Sequence, residues 1–332
     1  MIISLLLLAV GLALLIFGAD ALVRGVSAIA AALGVPPLVI GMTVVAFGTS
    51  TPEVVVNTIS AWNMQTDLAF GNIVGACGVN LGFVLALTAI IKPLRVESGV
   101  ITRETPLLLL TVAAVCIMSI DTLTGSGTVN QLSRSDGLML LLLFAMFLYI
   151  TVLSMLNQRE RDRLADEIDQ ADAPVHPAKV RWLRDGAFVL GGLVGVGVGG
   201  RVAVAAAVEL ATLAGVGQAL IGLTIVSFGT TLPELTTSIL AARRGLADIA
   251  IGNVIGSCIF NLLFIGGIAA TIYPINVPPE GRFDLMMLAT LSVITFPMLF
   301  SGRKVTRPEG LTLLVLYVGY VVFRAVFARG GA

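Results

Sequence analysis

Charged and aromatic residues are scarce in this chain of 332 residues. Asp, Glu, Lys and Arg together make up 12% of it and Phe, Trp and Tyr 6%, whereas apolar residues reach 57%. With a mean hydropathy of +1.00, this composition excludes an ordinary soluble domain and predicts a polytopic membrane protein embedded in a lipid bilayer. The 20 basic and 20 acidic residues cancel, so no excess of positive charge favours nucleic acid as a partner.

Histidine and cysteine are also rare. The single histidine, His176, falls in a polar segment, and Cys77, Cys116 and Cys258 fall in apolar runs, where we expect packing residues rather than disulfides. No Ser/His pair or metal-ligand cluster occurs within the apolar runs, which disfavours a membrane-embedded enzyme. The same scarcity disfavours zinc, copper or iron as a ligand and predicts no cofactor.

Long apolar runs recur along the whole chain, as at residues 2–22, 138–156 and 311–327. A helix needs about 20 apolar residues to cross a bilayer, and we count ten candidate spans. The first run lacks a basic leader, so it is predicted to be a transmembrane helix rather than a cleaved signal peptide.

The polar segment at residues 157–184 divides the chain into a predicted first repeat, residues 1–156, and a second, residues 185–332. Most of the 20 Lys and Arg residues face the cytoplasm if both termini lie outside, as the positive-inside rule favours. We therefore expect a multi-pass protein of the cell's inner (plasma) membrane with a cytoplasmic linker. The oligomeric state stays open.

The two halves carry the same motifs 181 residues apart. Residues 40–53 read IGMTVVAFGTSTPE and residues 221–234 read IGLTIVSFGTTLPE. Five spans separate equivalent points, and because five is odd the second copy must enter the membrane in the opposite orientation. The fold class is therefore predicted as all-α, with ten transmembrane helices in two inverted-topology five-helix repeats, an architecture of many secondary transporters. Downstream of these motifs Asp67, Gly71, Asn72, Gly75, Cys77 and Asn80 align with Asp248, Gly252, Asn253, Gly256, Cys258 and Asn261.

A proline followed by a glutamate interrupts an apolar helix in each half, at Pro52-Glu53 and Pro233-Glu234. The proline removes an amide donor from the helix. No basic residue accompanies either glutamate in its stretch of helix, and a mid-membrane carboxylate costs at least about 2.5 to 3.5 kcal/mol on insertion scales. Because this unfavourable arrangement occurs twice at matched positions, we expect the two glutamates to hold a cation.

The same motifs supply neutral oxygen donors. Calcium prefers roughly six to eight oxygen ligands, and two carboxylates are neutralised by one calcium ion or by two sodium ions. A site without ions would carry two unpaired charges through a low-dielectric barrier, which favours exchange over leak. The neutral candidate donors are Asn80, Asn261, Thr49, Ser50, Thr230, Thr231 and Ser257.

These residues resemble the sodium/calcium exchanger family of the cation/calcium antiporter superfamily, in its short prokaryotic form. The resemblance rests on Gly-Thr-(Ser/Thr)-x-Pro-Glu at 48–53 and 229–234, and on Gly-Asn-x-x-Gly-x-x-x-x-Asn at 71–80 and 252–261. It implies electrogenic exchange of calcium for sodium by alternating access, with the stoichiometry left open, and sliding of the first and sixth helices across the other eight. It adds the backbone carbonyls of Ala46 and Ser227 to the implied ligand set.

Two positions depart from the pattern of prokaryotic relatives. Ala76 stands where the second half has Ser257, so one hydroxyl ligand is lost. Asn261 stands where some relatives, notably the potassium-dependent branch, have aspartate, so the resemblance favours potassium-independent exchange. Gly75 and Gly256 stand where proton-coupled exchangers usually have glutamate. A proton- or potassium-coupled calcium antiporter, an antiporter of another cation, and a cation channel remain the alternatives.

Overall fold

A computed structural model describes residues 1–96, 100–124, 129–169, 181–214 and 227–330, and these are predominantly helical. The first half contains five membrane-crossing units, one of which is a bent pair of helices. The five units are α1 (Ile2–Leu33), α2 (Pro37–Thr49) with α3 (Thr51–Trp62), α4 (Thr66–Ile91), α5 (Thr105–Met118) and α7 (Arg134–Asp169). A π-helical turn at Val100–Glu104 precedes α5, and a short helix, α6 (Asp121–Thr124), follows it.

The second half repeats this order among the described residues. Among the described residues of both halves, six single helices and the bent pair of the first half have the length and hydropathy of a membrane span, and three of the six lie in the second half. The predicted all-α, ten-helix membrane fold is confirmed. The units are α8 (Trp182–Leu213), α9 (Ser227–Gly229) with α10 (Leu232–Arg243), α11 (Ala247–Ile272), α12 (Gly281–Phe300) and α13 (Arg307–Gly330).

The two halves contact each other through equivalent elements. Strand β1 (Leu94–Arg95) pairs antiparallel with β4 (Lys304–Val305), and β2 (Gln131–Leu132) pairs antiparallel with β3 (Ile275–Asn276), so each half contributes one strand to each ladder. Cys77 and Cys258, 181 residues apart, exchange weak thiol-to-carbonyl hydrogen bonds of 3.6 and 3.8 Å. Such reciprocal pairing is the arrangement that a pseudo-two-fold axis between inverted halves produces.

Helices α4 and α11, the third units of the two halves, are the most enclosed of the long spans, whereas α1 and α8 lie at the periphery and pack along each other. Glycines allow their backbones to approach closely. A Cβ atom at Gly192 would lie 2.5 Å from the Leu22 amide nitrogen, and one at Gly199 would lie 2.6 Å from the Leu15 amide nitrogen. Small residues at such crossings are typical of membrane helices.

The segment expected as a linker, residues 157–184, is partly helical. Helix α7 continues to Asp169 and α8 begins at Trp182. The intervening residues 170–180, which include His176, lie outside the described residues. The domain boundaries therefore remain a prediction.

The glycine contacts between α1 and α8 predict a position-specific effect of added methyl groups. Gly192→Ala should lower the midpoint of thermal unfolding, because overpacking against backbone costs about 1 to 3 kcal/mol. Gly191→Ala is the matched control, since no described atom lies within 4 Å of its added Cβ. Thermal unfolding of the purified variants in detergent tests this, and equal midpoints for the two would contradict the close packing.

Candidate ion-binding site

Each half places a break in its second unit at the centre of the molecule. Helices α2 and α3 meet at an angle of 51°, and the break falls at Ser50, whose backbone is not helical (φ −84°, ψ 8°). Thr231 (φ −94°, ψ 3°) occupies the same position before α10. Pro52 and Pro233 lie in the first turn of the helix after the break, where a missing amide is tolerated.

The two glutamates follow these prolines and are buried. Glu53 and Glu234 are each 1% exposed, and each lies in the first turn of its helix, where unpaired backbone amides favour a negative charge. The hydroxyl of Ser50, three residues before Glu53, donates to the Glu234 carboxylate, so the two glutamates belong to the same region of the structure. Within the described residues neither one forms an ion pair.

Hydrogen bonds satisfy only a part of this pair. The Ser50 hydroxyl donates to Glu234 Oε1 at 2.9 Å. Glu234 Oε2 and both Glu53 oxygens have no hydrogen-bond partner among the described residues, although Thr230 approaches Glu53. Buried polar atoms are almost always paired in proteins, so three carboxylate oxygens without a described partner have the capacity to bind a cation.

Asn80 and Asn261 bring further unpaired atoms from the two central helices. Both are buried and lie in π-helical turns, Asn80–Leu85 of α4 and Phe260–Ile265 of α11, a feature often found at functional sites. The amide oxygen of each has no partner among the described residues. These oxygens are therefore available to a cation.

Hydroxyl groups from both halves meet between the broken helices. The Ser50 hydroxyl lies 3.2 Å from Ser257 Oγ, and the Thr49 hydroxyl donates to Asn253 Oδ1 and to the Ala46 carbonyl, both at 3.3 Å. The Ala46 carbonyl also accepts the Ser50 amide at 3.0 Å. The candidate site is thus shared between the halves.

The remaining predicted donors of the second half lie at its break. Thr231 donates its hydroxyl to the Phe228 carbonyl at 3.0 Å. Thr230 is its chain neighbour, and Ser227 begins α9, where its backbone alone is described. Ala76 is buried in α4 and offers no hydroxyl to match Ser257.

Sequence reasoning missed three polar residues. Asn57 Oδ1 and Thr237 Oγ1 are buried and without partners among the described residues. They follow Glu53 and Glu234 by four and three residues, a helical spacing that could have identified them. Asn253 donates its amide to the Glu234 carbonyl at 3.3 Å and to Ser238 Oγ at 3.0 Å.

The donor atoms are suited to a hard cation. In the part of the chain that the structure describes, no cluster of three or more His, Cys, Asp or Glu side chains occurs. Two carboxylates and neutral amide and hydroxyl oxygens are the donors that calcium and sodium accept, whereas soft metals prefer sulfur or imidazole.

Comparison with known proteins agrees with the geometry. The family model described as "Sodium/calcium exchanger protein" matches residues 3–153 and again residues 186–326, once in each half. The chain belongs to the sodium/calcium exchanger family. Family members of this kind are transporters rather than enzymes and carry ions as substrates without a cofactor, so the prediction of a non-enzymatic, multi-pass membrane cation antiporter is confirmed.

Individual relatives of this exchanger cover nearly its whole length. It is 37% identical to the "Putative antiporter CaxA" of Alkalimonas amylolytica, over 96% of this chain and 98% of that protein. It is 36% identical to the "Inner membrane protein YrbG" of Escherichia coli (strain K12), over 96% and 95%. A solved structure of the sodium-calcium exchanger NCX_Mj, soaked with Na⁺ and Ca²⁺, is 29% identical with a TM-score of 0.81, covering 97% of this chain and 98% of that one.

The asymmetry between Asn253 and its counterpart Asn72 generates a prediction. Asn253→Ala should lower the thermal unfolding midpoint, because it removes hydrogen bonds that link Thr49, Glu234 and Ser238, and unpaired buried groups cost about 1 to 3 kcal/mol. Asn72→Ala is the matched control, since the Asn72 amide nitrogen has no partner among the described residues. Equal decreases in the unfolding midpoint for both variants would show that the Asn253 hydrogen bonds do not stabilise the fold more than the Asn72 side chain does.

Proposed function

We propose that this exchanger moves calcium against sodium by alternating access, through a site between its two broken helices. The observation that carries the proposal is the pair of buried carboxylates, Glu53 and Glu234, which lie around Ser50 and have no basic partner among the described residues. Their repulsion in a medium of low dielectric constant is relieved when a cation lies between them. One calcium ion supplies the two positive charges required.

The proposed ligands are the groups that surround this pair. Glu53 and Glu234 supply charge, and the amide oxygens of Asn80 and Asn261 complete a shell from the two central helices. Because Asn261 is neutral, the site charge is minus two. The other proposed donors are Thr49, Ser50, Thr230, Thr231, Ser257 and the backbone carbonyls of Ala46 and Ser227.

Charge also supports coupled exchange. Two sodium ions neutralise the carboxylates as one calcium ion does, and a third sodium ion on neutral oxygens would make the cycle electrogenic. A site stripped of ions would have to move two negative charges past apolar surroundings, which is strongly unfavourable. Because Ala76 stands where the second half has Ser257, the first half offers one hydroxyl donor fewer to the proposed site.

Transport in proteoliposomes tests the coupling ion. Vesicles loaded with sodium and diluted into sodium-free medium should take up radioactive calcium, and vesicles with equal sodium on both sides should not. An inside-positive potential should accelerate uptake if three sodium ions leave for each calcium ion. Uptake driven by a proton or potassium gradient would reassign the coupling, and uptake without any counter-ion gradient would indicate a channel.

Neutralising either central carboxylate should abolish this exchange. Glu53→Gln and Glu234→Gln each keep the side-chain shape but remove one charge, so calcium is no longer balanced in the buried site. The same vesicle assay measures the loss, with Glu280→Gln as the control because Glu280 is exposed in the loop before α12. Rates near those of the unmodified protein in either site variant would remove the basis of the proposed site.

We infer in addition that both termini face away from the cytoplasm and that residues 157–184 lie inside, as the distribution of basic residues favours. A fluorescent protein that matures only in the cytoplasm, fused after residue 332, should remain dark. The same protein inserted at residue 175 should fluoresce. The reverse pattern would invert the proposed orientation.

A further inference from the structure

The ladder between β1 and β4 places like charges side by side. Its register pairs Leu94 with Val305 and Arg95 with Lys304. Directly opposite residues of an antiparallel pair point to the same face, and successive pairs point to opposite faces. Leu94 and Val305 are buried, whereas Arg95 and Lys304 are exposed. Two cations therefore project together from the outer face of the ladder.

Arg303 adds a third exposed cation beside this pair. Its carbonyl accepts the Val96 amide at 2.9 Å, which extends the pairing of the two segments. We call Arg95, Arg303 and Lys304 the basic ladder patch. Within the described residues none of the three forms an ion pair. Like charges directly opposite each other destabilise a strand pair, so the patch requires a reason other than folding.

The second ladder shows that the fold does not need these cations. By the internal symmetry β3 corresponds to β1 and β2 to β4, and there Gln131 pairs with Asn276 while Leu132 pairs with Ile275. The inward positions are again apolar and buried, but the outward positions are neutral. The charge is therefore confined to one of two structurally equivalent ladders.

The basic ladder patch lies where membrane-crossing helices end. Strand β1 begins three residues after α4 ends at Ile91, and β4 ends two residues before α13 begins at Arg307. Two neighbouring cations are already engaged, because Lys92 donates to the Arg243 carbonyl at 3.2 Å and Arg307 donates to the Ile90 carbonyl at 3.1 Å. The three patch residues remain free for an external anion at the level of the lipid headgroups.

We propose that the basic ladder patch binds the headgroup phosphate of an anionic phospholipid. A phosphate accepts the paired donors of an arginine and the ammonium of a lysine, and basic residues at a membrane surface attract anionic lipids. Bound phosphate relieves the repulsion across the ladder. The lipid thereby stabilises the junction between α4, the third unit of the first half, and α13, the fifth unit of the second.

The neutral ladder supplies the test variant. Arg95→Asn with Lys304→Gln gives the first ladder the outward residues of the second, so the variant should fold. Wild type and variant are placed in nanodiscs of phosphatidylcholine with or without phosphatidylglycerol, and the thermal unfolding midpoint and the phosphatidylglycerol retained in native mass spectrometry are measured. Affinity for phosphatidylglycerol should fall about fivefold per charge removed, or roughly 25-fold for both.

Three controls separate this site from general surface charge. Arg181→Gln with Arg243→Gln removes two exposed cations elsewhere and should keep the lipid preference, as should the charge-preserving exchange Arg95→Lys with Lys304→Arg. Inorganic phosphate added to phosphatidylcholine discs should not replace the lipid. The proposal is overturned if the wild type shows no preference for phosphatidylglycerol, if the ladder variant keeps it, or if the Arg181/Arg243 variant loses as much.

If the ladder variant does not fold, the salt dependence of the wild-type protein's stabilisation by phosphatidylglycerol tests the proposal. Added salt should then abolish the stabilisation by phosphatidylglycerol, because the contact is an exposed charge pair. Stabilisation that is insensitive to salt would contradict a phosphate contact. The patch could instead act only in orienting the chain during membrane insertion. In that case the folded protein should show no preference for phosphatidylglycerol, so the same measurement distinguishes the two roles.

Discussion

Two carboxylates buried together without a basic partner dominate the physics of this exchanger. Burial disfavours each charge and proximity disfavours the pair, and the cation that we propose for this site would offset both costs. Two features of the surrounding structure are relevant to these carboxylates. Breaks at Ser50 and Thr231 put Glu53 and Glu234 in the first turns of helices, where backbone amides favour negative charge, and the central helices add unpaired amide oxygens.

Internal symmetry brings these groups together, but it is not strict. Reciprocal ladders and the exchanged contacts of Cys77 and Cys258 join equivalent positions. The polar shell differs between the halves, since Asn253 links Thr49, Glu234 and Ser238 while the amide nitrogen of its counterpart Asn72 has no described partner. The side-chain contacts around the two broken helices therefore differ, although both halves contribute equivalent elements.

The sequence predicted the helical class, the two related halves and the central glutamates, because apolar length and a doubled motif are local signals. The same repeat indicated Asn80 and Asn261, which the structure buries, and their role as ligands stays a prediction. It did not reveal Asn253 as a link between halves or Asn57 and Thr237 as unpaired donors, because those roles depend on contacts across helices. Helical continuation of α7 to Asp169 was also missed, since residues 157–169 are polar and resemble a loop in composition.

The contact between Ser50 and Glu234 spans 184 positions of the chain, and this has a consequence for biosynthesis. Glu53 enters the bilayer long before the ribosome has made the residues that share its pocket. The pocket around Glu53 can therefore be complete only after residues of the second half, up to Asn261, have been synthesised.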